Sequence, residues 1–403
     1  MKITDIDIIP IYPAIAARNA EQRLRFISLN HRTIFKVTAD NGIVGYGDAR
    51  CEAPEKSTVA RLVGQSPFNY INANLNTGLM GALYDLMGKY LEIPAYKLMG
   101  QKVRDRVPVA AWTRPASPED LAKDVQRAAS QGYMVFKIHT CAHYDVLEQT
   151  EAVEEVAPKG FKMHFDFNHN RPMSAVLRLA HELEKSWVVG MLEDPMVWQD
   201  LEGWRLLRSK TSLPLLMHVP QLGGGPELAL GCADAYMIGE GGIGPTLARA
   251  MACGLANAAS VIQLTGGTLT KAMAMHMGAV IPNVSHSINL DDQYEEDVVK
   301  VRIEVAEGSS PVPDGPGLGV EVDEEALAKC AANKPTEIPP SIGILHLPGG
   351  RRIYAKGMPA VEKLTGFPEG NIRGIRLEVW EEDGSVEFGK AWKRVEAEGS
   401  YWE

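Results

Sequence analysis

Lys137, His139, Asp166, Asn168, Glu193 and His218 stand at or near the ends of short apolar runs. The runs read Met134-Val-Phe-Lys-Ile-His139, Met163-His-Phe-Asp-Phe-Asn168, Val189-Gly-Met-Leu-Glu-Asp-Pro195 and Leu213-Pro-Leu-Leu-Met-His-Val-Pro220. Histidine exchanges protons near neutral pH, while carboxylates and ammonium groups hold opposite charge, so the set is equipped for acid–base work on a charged ligand. Spacing supports this. Residues two apart on a strand share a face, so Lys137 points with His139 and Asp166 with Asn168. As consecutive barrel strands, these runs gather all six side chains at the C-terminal mouth, where barrel enzymes keep their reactive groups. His169 and Arg171 follow the second run on a loop facing that mouth, placed to touch an anionic substrate. His164 is expected to face the surrounding helices.

The elements that must position these groups are legible around them. Each run is too short for a helix and is bounded by turn residues, as suits a buried parallel strand. From residue 106 onward, short apolar runs alternate with amphipathic stretches. Strands are expected at 107–111, 135–139, 163–168, 189–193, 213–219, 235–239, 259–264 and 281–290, with helices between nearly all of them. Ser117-Pro118 opens the first helix as a cap followed by a first-turn proline. Eight strands over about 190 residues suit a closed (β/α)8 barrel.

Before the barrel, residues 2–9 and a hairpin over 33–47, turning at Asn41-Gly42, predict an antiparallel sheet. Helical spacing spans 70–98, with Gly100 as a stop. After residue 342 the patterns of two hairpins, over 342–354 and 374–388, predict a β-rich appendix. The fold class is thus α/β. Residues 1–105 form an α+β capping domain, with 311–335 packing back on it, residues 106–310 a modified (β/α)8 TIM-type barrel, and residues 336–403 a small C-terminal β-rich extension.

Composition sets the exclusions. A net charge of −10 over 403 residues, with no basic run longer than Arg351-Arg352, opposes binding to nucleic acid or an anionic membrane. Five scattered cysteines point to a reducing, cytoplasmic setting rather than a disulfide framework. No signal peptide or membrane span is expected.

Seven motifs follow one another over residues 1 to 330: Phe35-Lys-Val-Thr-Ala-Asp-Asn-Gly-Ile-Val-Gly-Tyr-Gly-Asp, the stretch from Met87 to Val109, Phe136-Lys-Ile-His, Asp166-Phe-Asn, Glu193-Asp-Pro, His276-Met-Gly-Ala-Val-Ile-Pro-Asn and Gly315-Pro-Gly-Leu-Gly-Val. In their order and spacing the chain resembles the enolase superfamily, specifically its mandelate racemase and muconate lactonizing enzyme branch. The resemblance implies a cap closing over a barrel whose bound magnesium helps remove the proton next to a carboxylate. Such a proton is very weakly acidic, because its loss makes a dianion that cations must hold.

By that resemblance Asp166 and Glu193 match two metal ligands, and Lys137 the partner of the substrate carboxylate. His139 replaces the second lysine of the family's Lys-x-Lys pair as the base. Val219 falls where the third carboxylate belongs, with His218 before it, so His218 is expected to complete the metal set. An imidazole suits manganese or zinc better than magnesium, and a metal-free site is the alternative. Gln263 stands where the family often has a second, histidine base, and no lysine stands on the sixth strand. One-base chemistry follows. Asn168, His169, Arg171, Gln263, Arg25 and His31 are the expected substrate contacts, the last two from the covering segment of the cap.

The function expected is a lyase or isomerase that dehydrates or isomerises a hydroxy acid or acid sugar, in a homo-oligomer. Its alternative is a catalytically silent or metal-independent member that binds an acid metabolite.

Overall fold

The computed structural model describes residues 1–19, 31–169, 171–218, 225–335, 337, 339–357, 361, 364 and 372–403. They form two compact units, residues 1–112 with 235–336 and residues 113–234 with 337–403. Among the described residues no helix is long and apolar enough to cross a membrane.

The first unit opens with an antiparallel sheet in the order β1 (Ile3–Ile11), β2 (Arg32–Ala39) and β3 (Val44–Ala49). Gly42 takes the left-handed turn position, at φ 80°, as Asn-Gly demands. The helix Thr77–Leu91 packs on β3. Contact is so close that a Cβ on Gly45 would lie 2.2 Å from the Ala82 carbonyl oxygen, and one on Gly47 1.9 Å from that of Gly78. Only glycine fits there. The helix is shorter than its apolar spacing predicts. Asn76 caps its start, accepting from the Gly78 and Leu79 N–H groups, and Glu92 ends it in left-handed backbone at φ 55°. Ile93, lying before a proline, is biased away from helix. In the same unit Leu318 N–H donates to Asp85 Oδ1 at 2.9 Å, and Lys36 pairs with Glu324 at 3.1 Å, so the segment after β12 (Ser309–Pro311) returns to the capping elements.

The barrel strands are β4 (Arg106–Thr113), β5 (Val135–His139), β6 (Lys162–Asp166), β7 (Val189–Glu193), β8 (Leu215–Met217), β9 (Ala235–Ile238), β10 (Ala259–Gln263) and β11 (Val284–Ile288). They lie in chain order within one sheet, and β11 pairs with β4 to close it. The expected α/β architecture is the one found. Ser117 Oγ accepts from Asp120 N–H at 3.1 Å and starts the helix Pro118–Ser130, which buries Leu121, Val125 and Ala128. The short helix Gly225–Leu230, between β8 and β9, adds an element that the sequence pattern did not announce.

In the second unit, β13 (Ser341–His346), β14 (Arg352–Lys356), β15 (Arg376–Glu381) and β16 (Ser400–Trp402) make an antiparallel sheet in the order β15-β13-β14-β16. The first expected hairpin is β13–β14. The second does not form. Asp383 Oδ1 accepts from Ser385 N–H at 2.8 Å, and Ser385 Oγ accepts from Phe388 N–H at 3.0 Å, so residues after β15 begin the helix Val386–Glu398 instead. Ile342, Ile344 and Tyr354 pack with Phe388 and Val395. Leu345, Ile353, Ala355 and Leu377 pack with Cys141 and Tyr144, which follow β5. Asp145 is tied to Arg373 at 2.8 Å and to Gly374 N–H at 3.2 Å. The sheet thereby braces the loop that leaves β5.

Candidate active site

Strand register sets the site. In the parallel ladders His139 pairs with Asp166, and Asp166 with Glu193, so these three stand at one level at the strand ends. Lys137 and His164 pair one inward-facing step deeper. The lysine reaches upward. Its Nζ lies 3.0 Å from Asp166 Oδ2 and 2.6 Å from Glu193 Oε2, with the lysine and Glu193 fully buried and Asp166 nearly so. Burial works against the Lys137 charge, but the two carboxylates outweigh it and hold its pKa above the ordinary lysine value. Burial likewise opposes the charge of Glu193; Lys137, His164 and His218 overcome it and hold Glu193 well below the usual range.

His164 departs from expectation. Its Nε2 lies 2.7 Å from Glu193 Oε2 in the barrel interior, rather than against the helices. The reason is the two-residue period itself: residues 164 and 166 share a face. His139 Nδ1 lies 3.4 Å from Asp166 Oδ2 and within 3.1 Å of the Asn168 side-chain amide. Burial pushes the His139 pKa down to about 4, with the Asp166 charge opposing and Lys137 adding to the fall. Near neutral pH His139 is therefore a neutral imidazole.

Glu193 Oε1 lies 3.0 Å from His218 Nδ1. Asp194, one residue past β7, adopts left-handed backbone at φ 44°, accepts His218 N–H at 2.9 Å and meets His169 Nε2 at 2.9 Å. Burial raises the Asp194 pKa, the His169 bond resists, and the charges of Glu193 and Asp166 add to the rise. Glu193, Asp194 and His218 each offer a donor atom within 4.8 Å of the others. Asp194 is the residue that sequence reasoning passed over, and His164 the one it turned to the wrong face. An acid beside another acid in Glu-Asp-Pro was the available signal for the first, and His-x-Asp on one strand for the second.

Arg171 is buried, its guanidinium 4.6 Å over the Phe167 ring and donating to Thr140 Oγ1 at 3.3 Å; burial lowers its pKa to about 10. His169 also stands edge-on to Trp198 at 4.3 Å. His31 and Gln263 belong to the other unit, where His31 meets Tyr12 edge-on at 5.7 Å and Gln263 ends β10. Arg25 and Val219 lie outside the described residues.

A family model described as enolase C-terminal domain-like matches residues 120–326. The chain belongs to the enolase superfamily. Among curated members, a D-galactonate dehydratase of Variovorax paradoxus is 27% identical over 360 residues, covering 74% of this chain and 91% of that one. An N-succinyl-L-Arg/Lys racemase of Bacillus cereus is 26% identical over 335 residues, covering 73% and 88%. The crystal structure of the Bacillus cereus N-succinyl Arg/Lys racemase superposes with a TM-score of 0.69 at 22% identity, over 83% of this chain and 99% of that one.

Proposed function

We propose that this enzyme of lyase or isomerase type removes the proton next to the carboxylate of a small hydroxy acid or acid sugar, the similar galactonate and gluconate dehydratases supporting that substrate class. The observation that carries the reading is the level row His139–Asp166–Glu193 with Lys137 reaching into it.

His139 is the base. With Nδ1 turned to Asn168 and Asp166, its proton goes to the Asn168 Oδ1 or Asp166 Oδ2 acceptor, and Nε2 carries the basic lone pair. The substrate C–H bond breaks, an N–H bond forms on Nε2, and the electron pair moves into the carboxylate as an enediolate. In a dehydration the neighbouring hydroxyl then leaves, taking the same proton as water, so one residue serves both steps. Lys137 supplies positive charge toward the carboxylate.

The donors suit a divalent cation, since Asp166 and Glu193 offer carboxylate oxygens, His218 an imidazole nitrogen, and an ammonium already stands between the two carboxylates as a cation does. When bound, such an ion would supply Lewis-acid stabilisation of the developing negative charge.

The test is exchange of the α-proton in deuterated water over a panel of sugar acids and hydroxy acids. The wild-type enzyme exchanges the proton of its substrate, and His139→Ala loses this by a factor of about 100 or more. Unchanged exchange in that variant sinks the assignment.

A further inference from the structure

We propose that the C-terminal sheet is a positioning element of the active site: one of its faces holds the loop that leaves β5, residues 140–145, and through that loop sets the pose of His139 at the strand end. This rests on the reading of His139 as the base and adds the part of the chain that presents it.

The sheet has two apolar faces, and neighbours along each strand divide between them. Ile344 and Tyr354 pack with Phe388 and Val395 of the helix Val386–Glu398. Leu345, Ile353, Ala355 and Leu377 point the other way and close over Cys141 and Tyr144. An apolar sheet face has to be buried against a second layer, and on this side the layer includes the loop that follows the base. Sheet and loop therefore order each other. The sheet lies beyond the residues that the family model matches, so this support is added to the matched barrel rather than part of it.

Both ends of the loop are tied down. At its start, Thr140 donates to the Asp166 carbonyl oxygen twice, from its N–H at 2.7 Å and from its hydroxyl at 3.2 Å. At its end, the fully buried Asp145 accepts from Leu147 N–H on Oδ1 at 3.0 Å, and on Oδ2 from Arg373 Nε at 2.8 Å and Gly374 N–H at 3.2 Å. One carboxylate thus caps the helix Val146–Val156 and clasps the segment that enters β15. Between the two ends, the Tyr144 hydroxyl donates to the Leu377 carbonyl at 3.4 Å. A void opened in the sheet face beneath Cys141 and Tyr144 is relieved by movement of the loop, and only Thr140 separates Cys141 from His139. A base displaced by about 1 Å from its working position loses about 100-fold in rate, so a small shift is enough to register.

The test compares Leu345→Ala with Ile344→Ala in the full chain. The two residues are adjacent on β13, both buried, and truncate opposite faces of one sheet. The readouts are kcat and KM for α-proton exchange in deuterated water and the His139 ring signal in the NMR spectrum, identified by its loss in His139→Ala. Leu345→Ala lowers kcat by about tenfold or more with KM within about threefold, and shifts the His139 signal; Ile344→Ala does neither, and Leu345→Met restores both. Where Leu345→Ala fails to fold, Arg373→Ala is read in its place: it truncates a half-exposed side chain and lowers kcat by about threefold. The proposal is overturned if the variant of the loop-facing side leaves kcat and the His139 signal where Ile344→Ala leaves them, or if the loss falls on KM alone. Should no acid exchange its proton with the wild-type enzyme, the reading of His139 as the base fails by itself, and the His139 signal alone decides the role of the sheet.

Discussion

Replacing Lys137 with methionine keeps the aliphatic stem and removes the one ammonium that serves both Asp166 and Glu193. Those side chains are 2% and 0% exposed, so water cannot take over the lost charge. Removing one partner of a buried ion pair costs about 3–5 kcal/mol. Two features limit the loss here. Asn168 N–H still donates to Asp166 Oδ1 at 2.9 Å, and the imidazoles of His164 and His218 stay within 3.0 Å of Glu193. A net loss at the low end of that range, about 3 kcal/mol near pH 7, follows, read as a lower urea midpoint.

The pH dependence gives the sharper check. Without the ammonium the buried carboxylates bind protons more tightly in the folded variant than in its unfolded chain, so the variant gains stability as pH falls toward 5. The gap to wild type must therefore shrink at pH 5. Adding Asp166→Asn and Glu193→Gln to Lys137→Met removes the charges together and recovers most of the loss. A single variant as stable as wild type, or a gap that does not change between pH 7 and pH 5, refutes the charge balance assigned to this site.

His276, buried against Tyr96 with its Nε2 3.1 Å from the Leu318 carbonyl, has a pKa pushed down to about 4 by burial. Its folded pKa is depressed, so its contribution is complete above pH 6.5 and is lost as pH falls from 6.5 to 4; it amounts to about 3 kcal/mol and should vanish from urea titrations of His276→Asn. Gly47→Ala should destabilise by about 3 kcal/mol or prevent folding, because the added methyl group meets the Gly78 carbonyl, and thermal unfolding of the variant checks this. Asp145→Ala should cost about 1–2 kcal/mol, since Asp145 caps the helix Val146–Val156 by accepting from Leu147 N–H, whereas the half-exposed Arg373→Ala should cost under about 1 kcal/mol; paired urea curves distinguish them.

The barrel was legible because its strands are short apolar runs between turn residues, and because a period of two fixes which side chains point inward. That logic placed Lys137, His139, Asp166 and Glu193 together before any coordinates. It failed where a local geometric signal outran the pattern. Asp194 lies one residue beyond its strand, and alternation alone would turn it from the site; positive φ reverses that direction, and no period encodes it. The stretch after Glu381 reads as a hairpin by its Asp-Gly pair, yet the turn is closed by Asp383 and then handed to Ser385, whose hydroxyl favours helix over a returning strand. His164 was a different failure, since the period that grouped Lys137 with His139 equally grouped His164 with Asp166. Applied evenly, it would have shown that Glu193 is held from beneath as well as beside. The carboxylate central to the site is then fixed by three basic side chains, its Oε2 by Lys137 and His164 and its Oε1 by His218.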